Sequence, residues 1–120
     1  MTSINIFKNS PDAIEVKPGD VLFHEGDVGD VMFAIVEGEV ELTRADRVID
    51  AIGAGGILGE MALIDTGPRS ATATVTIAGR IVRVDQRHFV FLVHEHPTFA
   101  LQVMKVMAER LRRANTSAEQ

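Results

Sequence analysis

The sequence contains no cysteine, which excludes disulfides, thiolate nucleophiles and cysteine-bound zinc or iron-sulfur clusters. Positive charge is scarce. Twelve basic side chains against 17 acidic ones leave a formal charge of -5, the wrong sign for broad attraction to nucleic acid or an anionic membrane surface. No apolar run approaches the roughly 20 residues needed to span a bilayer, and the polar start Met1-Thr2-Ser3 lacks a signal-peptide core. Internal repeats and low-complexity segments are also missing. What is present is 120 residues with 46% hydrophobic content, enough for one core and too few for two ordinary domains. A single soluble, cytoplasmic domain over 1–120 is expected.

The charge is unevenly placed. Residues 105–120 carry Lys105, Arg110, Arg112 and Arg113 against Glu109 and Glu119, so this end is locally basic while the rest is strongly acidic. Cations near a helix C-terminus offset the negative end of its dipole, which explains the pattern without a partner.

From Ile14 to Val84, short apolar stretches alternate with glycine, Pro-Gly and Gly-Asp, the pattern of an antiparallel β-barrel or sandwich. Lys17-Pro18-Gly19-Asp20 suits a turn, because proline presets φ and glycine tolerates the positive φ that follows. Val21-Leu22-Phe23 then begins a strand. Val31 to Val36 and Glu39 to Thr43, on either side of Glu37-Gly38, read as a hairpin whose second arm alternates acidic and aliphatic residues. Val48 to Ile52, Ala71 to Ile77 and Ile81 to Val84 supply further strands. This β-unit is expected over about residues 12–85.

After Val84 the period changes. Asp85 suits the cap of a helix through about His94, and Pro97 suits the first turn of another. Ala100, Val103, Met104, Met107, Ala108, Leu111 and Ala114 share one helical face, widened by Phe99, Leu101 and Val106. An arc this broad exceeds what packing on one barrel needs. Its outer part suits a ligand lid or a partner helix, a second copy included, against the alternative of one-sided packing. The closing helices are expected over about 86–114, with 115–120 as a polar tail.

The glycine-rich segment from Gly53 to Ala71 carries the chemistry. Gly59 followed by Glu60-Met61-Ala62-Leu63-Ile64 suits a single helical turn whose first N-H groups lack partners and attract an anion. Gly67-Pro68 turns the chain and returns Arg69, whose planar fork can grip two phosphate oxygens. Glu60 would repel phosphate but can accept from a hydroxyl of the same ligand. A single phosphate beside a sugar hydroxyl describes a cyclic nucleotide. The competing arrangement is a Glu60 to Arg69 pair that merely closes a surface loop.

Gly59-Glu60-Met61-Ala62-Leu63-Ile64 with Pro68-Arg69-Ser70-Ala71-Thr72 resembles the phosphate-binding cassette of cyclic nucleotide-binding domains. Gly19-Asp20-Val21-Leu22-Phe23, Glu25-Gly26-Asp27-Val28-Gly29-Asp30 and Val36-Glu37-Gly38-Glu39-Val40 resemble the early strands of that family. His96-Pro97-Thr98-Phe99-Ala100-Leu101 and Ala108-Glu109-Arg110-Leu111 resemble its closing helices, so the resemblance covers about residues 12–113. The family includes the catabolite activator protein, protein kinase A regulatory subunits and cyclic nucleotide-gated channels. The resemblance implies an antiparallel β-roll, jelly-roll-like, with a C-terminal helix that moves over the ligand. It implies that Glu60 binds the ribose 2'-OH and Arg69 the cyclic phosphate. Amides of Gly59, Ala62 and Ser70 would add phosphate bonds, with Leu58, Met61 and Ala71 near the ligand. Many members read Arg-x-Ala-Thr-Val, whereas this chain reads Arg69-Ser70-Ala71-Thr72-Ala73-Thr74-Val75.

Within the family, threonine after the phosphate arginine often accompanies cyclic GMP and alanine cyclic AMP. Ser70 falls between them, and its unrestricted rotamer makes a guanine contact weak. Cyclic AMP is therefore expected over cyclic GMP, with a base read mainly by burial near Ala108 and Leu111. No cofactor, metal or catalytic residue is expected. His94-Glu95-His96 has a metal-ligand spacing, but at a helix end the rings would not converge as on a strand. Ser70 has no histidine nearby to activate it. The alternative function is a non-binding protein-protein interaction module on the same fold, and DNA reading by this chain is not expected.

Overall fold

Two 14-residue strands carry the fold. The computed structural model describes residues 2–119. Strand β1 (Ile14–Val16) leads through the Lys17 to Asp20 turn into β2 (Val21–Phe23), followed by the short β3 (Val28–Gly29). Strand β4 spans Val31–Arg44 and β5 Arg47–Ile52. Then come β6 (Ile57–Leu58), the helical turn α1 (Met61–Ile64) and β7 (Gly67–Pro68). Strand β8 (Thr72–Asp85), α2 (Gln86–Glu95) and α3 (Pro97–Glu119) complete the order. The main sheet runs β1-β8-β4-β5, with β2 also on β8 and β6 on β4, while β3 and β7 form a separate antiparallel pair. The architecture is an antiparallel β-roll closed by C-terminal helices.

The hairpin expected at Glu37-Gly38 is not formed. Residues 31–36 and 39–43 belong to one strand, β4, and both halves pair with β8, from Val31 opposite Asp85 to Thr43 opposite Thr72. Likewise, 72–77 and 81–84 are parts of the single strand β8, which leaves Ala71 just outside it. The register slips between Ile35 and Val40, where Gly38 takes φ +98°. Opposite it, a Cβ on Gly79 would overlap the Glu37 carbonyl. A facing glycine pair therefore makes a bulge that bends both strands, and the same residue that permits a turn here permits a bend. The actual reversal is at Ala45 and Asp46, both with positive φ, as a two-residue hairpin loop of type I' geometry requires.

Alternation along β4 and β8 splits the core between the two faces. Met32, Ala34, Val82 and Val84 pack on one side with Phe7, Phe99, Val103 and Val106, joining the roll to α3. Val31, Phe33, Ile35, Val40, Val75 and Ile81 fill the other side with Ile52, Leu58 and Ala73. Asp85 caps α2 by accepting from the His88 amide at 2.8 Å, and Pro97 opens α3. Helix α3 continues past Ala114 to Glu119, since no glycine or proline after Pro97 stops it; Gln120 lies outside the described residues. Its buried residues are Phe99, Val103 and Val106, whereas Leu101, Met104 and Leu111 are exposed. The packing face is thus rotated from the centre of the apolar arc towards its margin at Phe99 and Val106.

Candidate functional site

The site forms where three backbone segments converge. Strands β3 and β7 pair Val28 with Pro68 and Gly29 with Gly67, so Gly67-Pro68 is a short strand rather than a free turn. The zipper continues beyond them. Arg69 N-H donates to the Asp27 carbonyl at 2.6 Å, and Gly26 N-H to the Arg69 carbonyl at 2.8 Å. The backbone of Arg69 is thereby fixed to the 26–29 segment before its side chain makes any contact.

That side chain is turned inward. Arg69 is only 9% exposed, and Nη2 donates to the Val31 carbonyl at 2.7 Å and Nη1 to the Gly59 carbonyl at 3.3 Å. Its guanidinium carbon lies 4.2 Å from the Phe23 ring centroid, within cation-π range. The buried Nε-H has no hydrogen-bond partner among the described residues. Burial pushes the Arg69 pKa down from its ordinary value, opposed by the charges of Asp30, Asp27 and Glu60. The unpaired Nε-H of this buried cation is the feature that suits an anion, whereas the carboxylates of Asp27, Asp30 and Glu60 oppose one. A cavity of about 360 Å³ adjoins it, lined among others by Phe23, Asp27, Asp30, Arg69 and Arg83; Glu60 and Ser70 are not in its lining.

Glu60 is 5% exposed and immediately precedes α1. It does not close a loop with Arg69. Its carboxylate accepts from Nη1 of Arg110 on α3, and Nη2 of the same arginine donates to the Ile57 carbonyl. Arg110 thus ties α3 to the cassette at two points, and Arg113 adds an ion pair to Asp50 on β5 at 3.1 Å. Sequence reasoning gave Arg110 no role at the site. The available signal was its position four residues beyond Val106, on the face of α3 that Phe99 and Val103 also occupy.

The remaining expected residues fall into two groups. Leu58, Ala62 and Ala71 are buried around the cassette, and Gly59 takes φ +73° where a Cβ would crowd Arg69 Nη1. The Ala62 amide donates to the Gly59 carbonyl at 3.2 Å, so it is engaged within the turn. Met61 and Ser70, by contrast, face solvent, and the Ser70 carbonyl accepts from Arg44 Nε at 2.8 Å. Leu111, expected near a ligand base, is 63% exposed because Arg110 takes the inward position beside it. His94 lies exposed one residue before the end of α2, and His96 is the residue that caps it.

The sequence pattern of cyclic nucleotide-binding domains matches residues 13–96. The chain belongs to this family. It is 28% identical over 109 residues to a CRP-like cAMP-activated global transcriptional regulator of Mycobacterium tuberculosis, covering 87% of this chain and 49% of that protein. It is 38% identical over 95 residues to a cyclic nucleotide-gated potassium channel of Rhizobium etli, covering 79% and 26%. The crystal structure of Thermus thermophilus catabolite activator protein superposes with a TM-score of 0.80 at 27% identity, covering 89% of this chain and 53% of that one. The chain thus spans about half or less of these relatives. Among the described residues, no helix is long and apolar enough to cross a membrane.

Proposed function

We propose that this domain is a cyclic nucleotide sensor, a binding module rather than an enzyme, that takes cyclic AMP in preference to cyclic GMP. The observation that carries the reading is the presence of a buried, incompletely satisfied Arg69 and a buried Glu60 nine residues apart in sequence. Arg69 takes the cyclic phosphate. Glu60 takes the ribose 2'-OH, since a carboxylate has lone pairs enough to serve Arg110 and a hydroxyl together. The names of the mycobacterial regulator and the rhizobial channel, which share the family, point to the same ligand class.

The output is movement of α3. Arg110 and the proposed hydroxyl ligand share one carboxylate, so occupancy at Glu60 alters the tether that holds this helix. The outer edge of α3, where the exposed Leu101, Met104 and Leu111 recur with the half-buried Ala108 at heptad spacing, supports a protein contact, with a second copy as the expected partner. The same edge is what favours the second reading, a protein-protein module that binds no nucleotide.

Cyclic AMP is favoured because Ser70 is exposed and offers guanine at most one loosely held hydroxyl. The margin is no more than one net hydrogen bond, about 0.5–1.5 kcal/mol. Competition titration tests it: cyclic AMP should displace cyclic GMP at lower concentration, and tighter cyclic GMP binding would refute the preference. No heat with either nucleotide at millimolar concentration would favour the second reading.

A further inference from the structure

Two uncharged residues decide where the Arg69 guanidinium lies. Gly29 has no left-handed φ, so its backbone is open to any residue; the requirement for glycine there is one of space. A Cβ at Gly29 would overlap Nε and Cζ of Arg69. Phe23 supplies a ring under the guanidinium carbon at 4.2 Å, and that ring is itself packed on Phe33 with centroids 5.9 Å apart. Because β3 and β7 are paired, the backbone that leaves the space and the backbone that carries the arginine are one unit. With Nη1 and Nη2 on the Gly59 and Val31 carbonyls, the side chain is held in a single orientation.

We infer that Gly29 and Phe23 form a cradle that positions Arg69 for the phosphate of the ligand. Both also line the cavity beside Arg69. Both act through Arg69, and the inference rests on the proposed role of that arginine. Alanine at position 29 forces the guanidinium off the carbonyl pair, and leucine at position 23 removes the ring that fixes its plane. Either change leaves the cation in the protein but loosens its aim.

The test is a pair of double-mutant cycles read by calorimetric titration with cyclic AMP, with thermal unfolding followed in parallel. Gly29→Ala and Phe23→Leu should each weaken binding by about tenfold, the lower end of losing a charge-assisted hydrogen bond. In the Arg69→Ala background each should change affinity by less than about twofold, because the group they position is gone. Should Gly29→Ala fail to fold, the Phe23 cycle carries the test, and Gly29→Ala/Arg69→Ala, with the obstructing side chain removed, should still fold. Equal losses in the two backgrounds, or single variants that bind as well as the parent or tighter, would overturn the cradle. A parent protein that binds no cyclic nucleotide defeats the proposed function and the cradle together, whereas parental binding with additive losses defeats the cradle alone.

Discussion

Arg69 and Glu60 are both buried, yet each is compensated by a different part of the chain. Arg69 depends on backbone carbonyls and Phe23, so it is held by the roll. Glu60 depends on Arg110, so it is held by the last helix. Their losses should therefore differ in kind. Arg69→Ala should weaken cyclic nucleotide binding by about tenfold to a hundredfold, the value of a charged hydrogen bond, and an unchanged dissociation constant would contradict the assignment. Glu60→Ala should cost less affinity, since it removes one hydroxyl contact and relieves repulsion towards phosphate. Arg110→Met instead leaves Glu60 as a buried carboxylate without its cation. Breaking a fully buried pair costs about 3–5 kcal/mol, and a quarter-exposed Arg110 lowers the expected loss to about 1–3 kcal/mol by urea denaturation. A change within about 0.5 kcal/mol, as for ordinary surface positions, would show that the pair is incidental. Glu60 and Arg69 were legible in the sequence because the chemistry of a phosphate beside a hydroxyl demands those side chains close together in a glycine-rich loop. Arg110 was not legible, because its role depends on the rotation of α3, which an apolar arc too wide to have a clear centre does not specify.

Among the elements, the β4-β8 pair dominates, and its bend is a matter of two glycines. Gly79→Ala drives a methyl group into the Glu37 carbonyl, a backbone atom that cannot step aside. Chemical denaturation should register a loss of about 2 kcal/mol, in the range for forcing an extra carbon into a filled space; an alanine variant as stable as the parent would mean that the bulge relaxes freely. Across the same bend, Arg80 donates to Glu37 at 2.9 Å and holds its carboxyl below the ordinary value of 4.5. A depressed folded pKa contributes stability above the unfolded value, and that contribution is lost as the pH falls through the folded value. Acid denaturation profiles of Glu37→Gln should therefore fall less steeply below pH 4.5 than those of the parent, and parallel profiles would remove the linkage. Strand positions here were readable from alternation, as at Val40 and Leu42. Connectivity was not, because Glu37-Gly38 looks alike as a turn or a bulge, while Ala45 and Asp46 make a true turn without any glycine.

For the molecule as a whole, the roll and α3 share one hydrophobic cluster and are linked at Glu60 and Asp50. Ligand at the cassette should thus change the protection of the helix. Hydrogen exchange in residues 100–113 should fall on addition of cyclic AMP, and identical exchange with and without nucleotide would refute α3 as the output. Sedimentation should reveal a self-associating species that Leu111→Glu reduces, whereas a monomer at high concentration would remove the second copy as partner. The architecture was legible from punctuation and period, since glycine-rich turns followed by a 3.6-residue repeat admit few arrangements of 120 residues. Which face of α3 seeks the roll and which seeks solvent emerged only from packing around Phe99, Val103 and Val106. The most direct measurement is calorimetric titration of cyclic AMP into the parent protein and into Arg69→Ala, each checked for folding. Saturable one-site binding by the parent, weakened by about tenfold or more in the variant, is the expected result; absence of binding by the folded parent, or equal affinity in the two proteins, would contradict it.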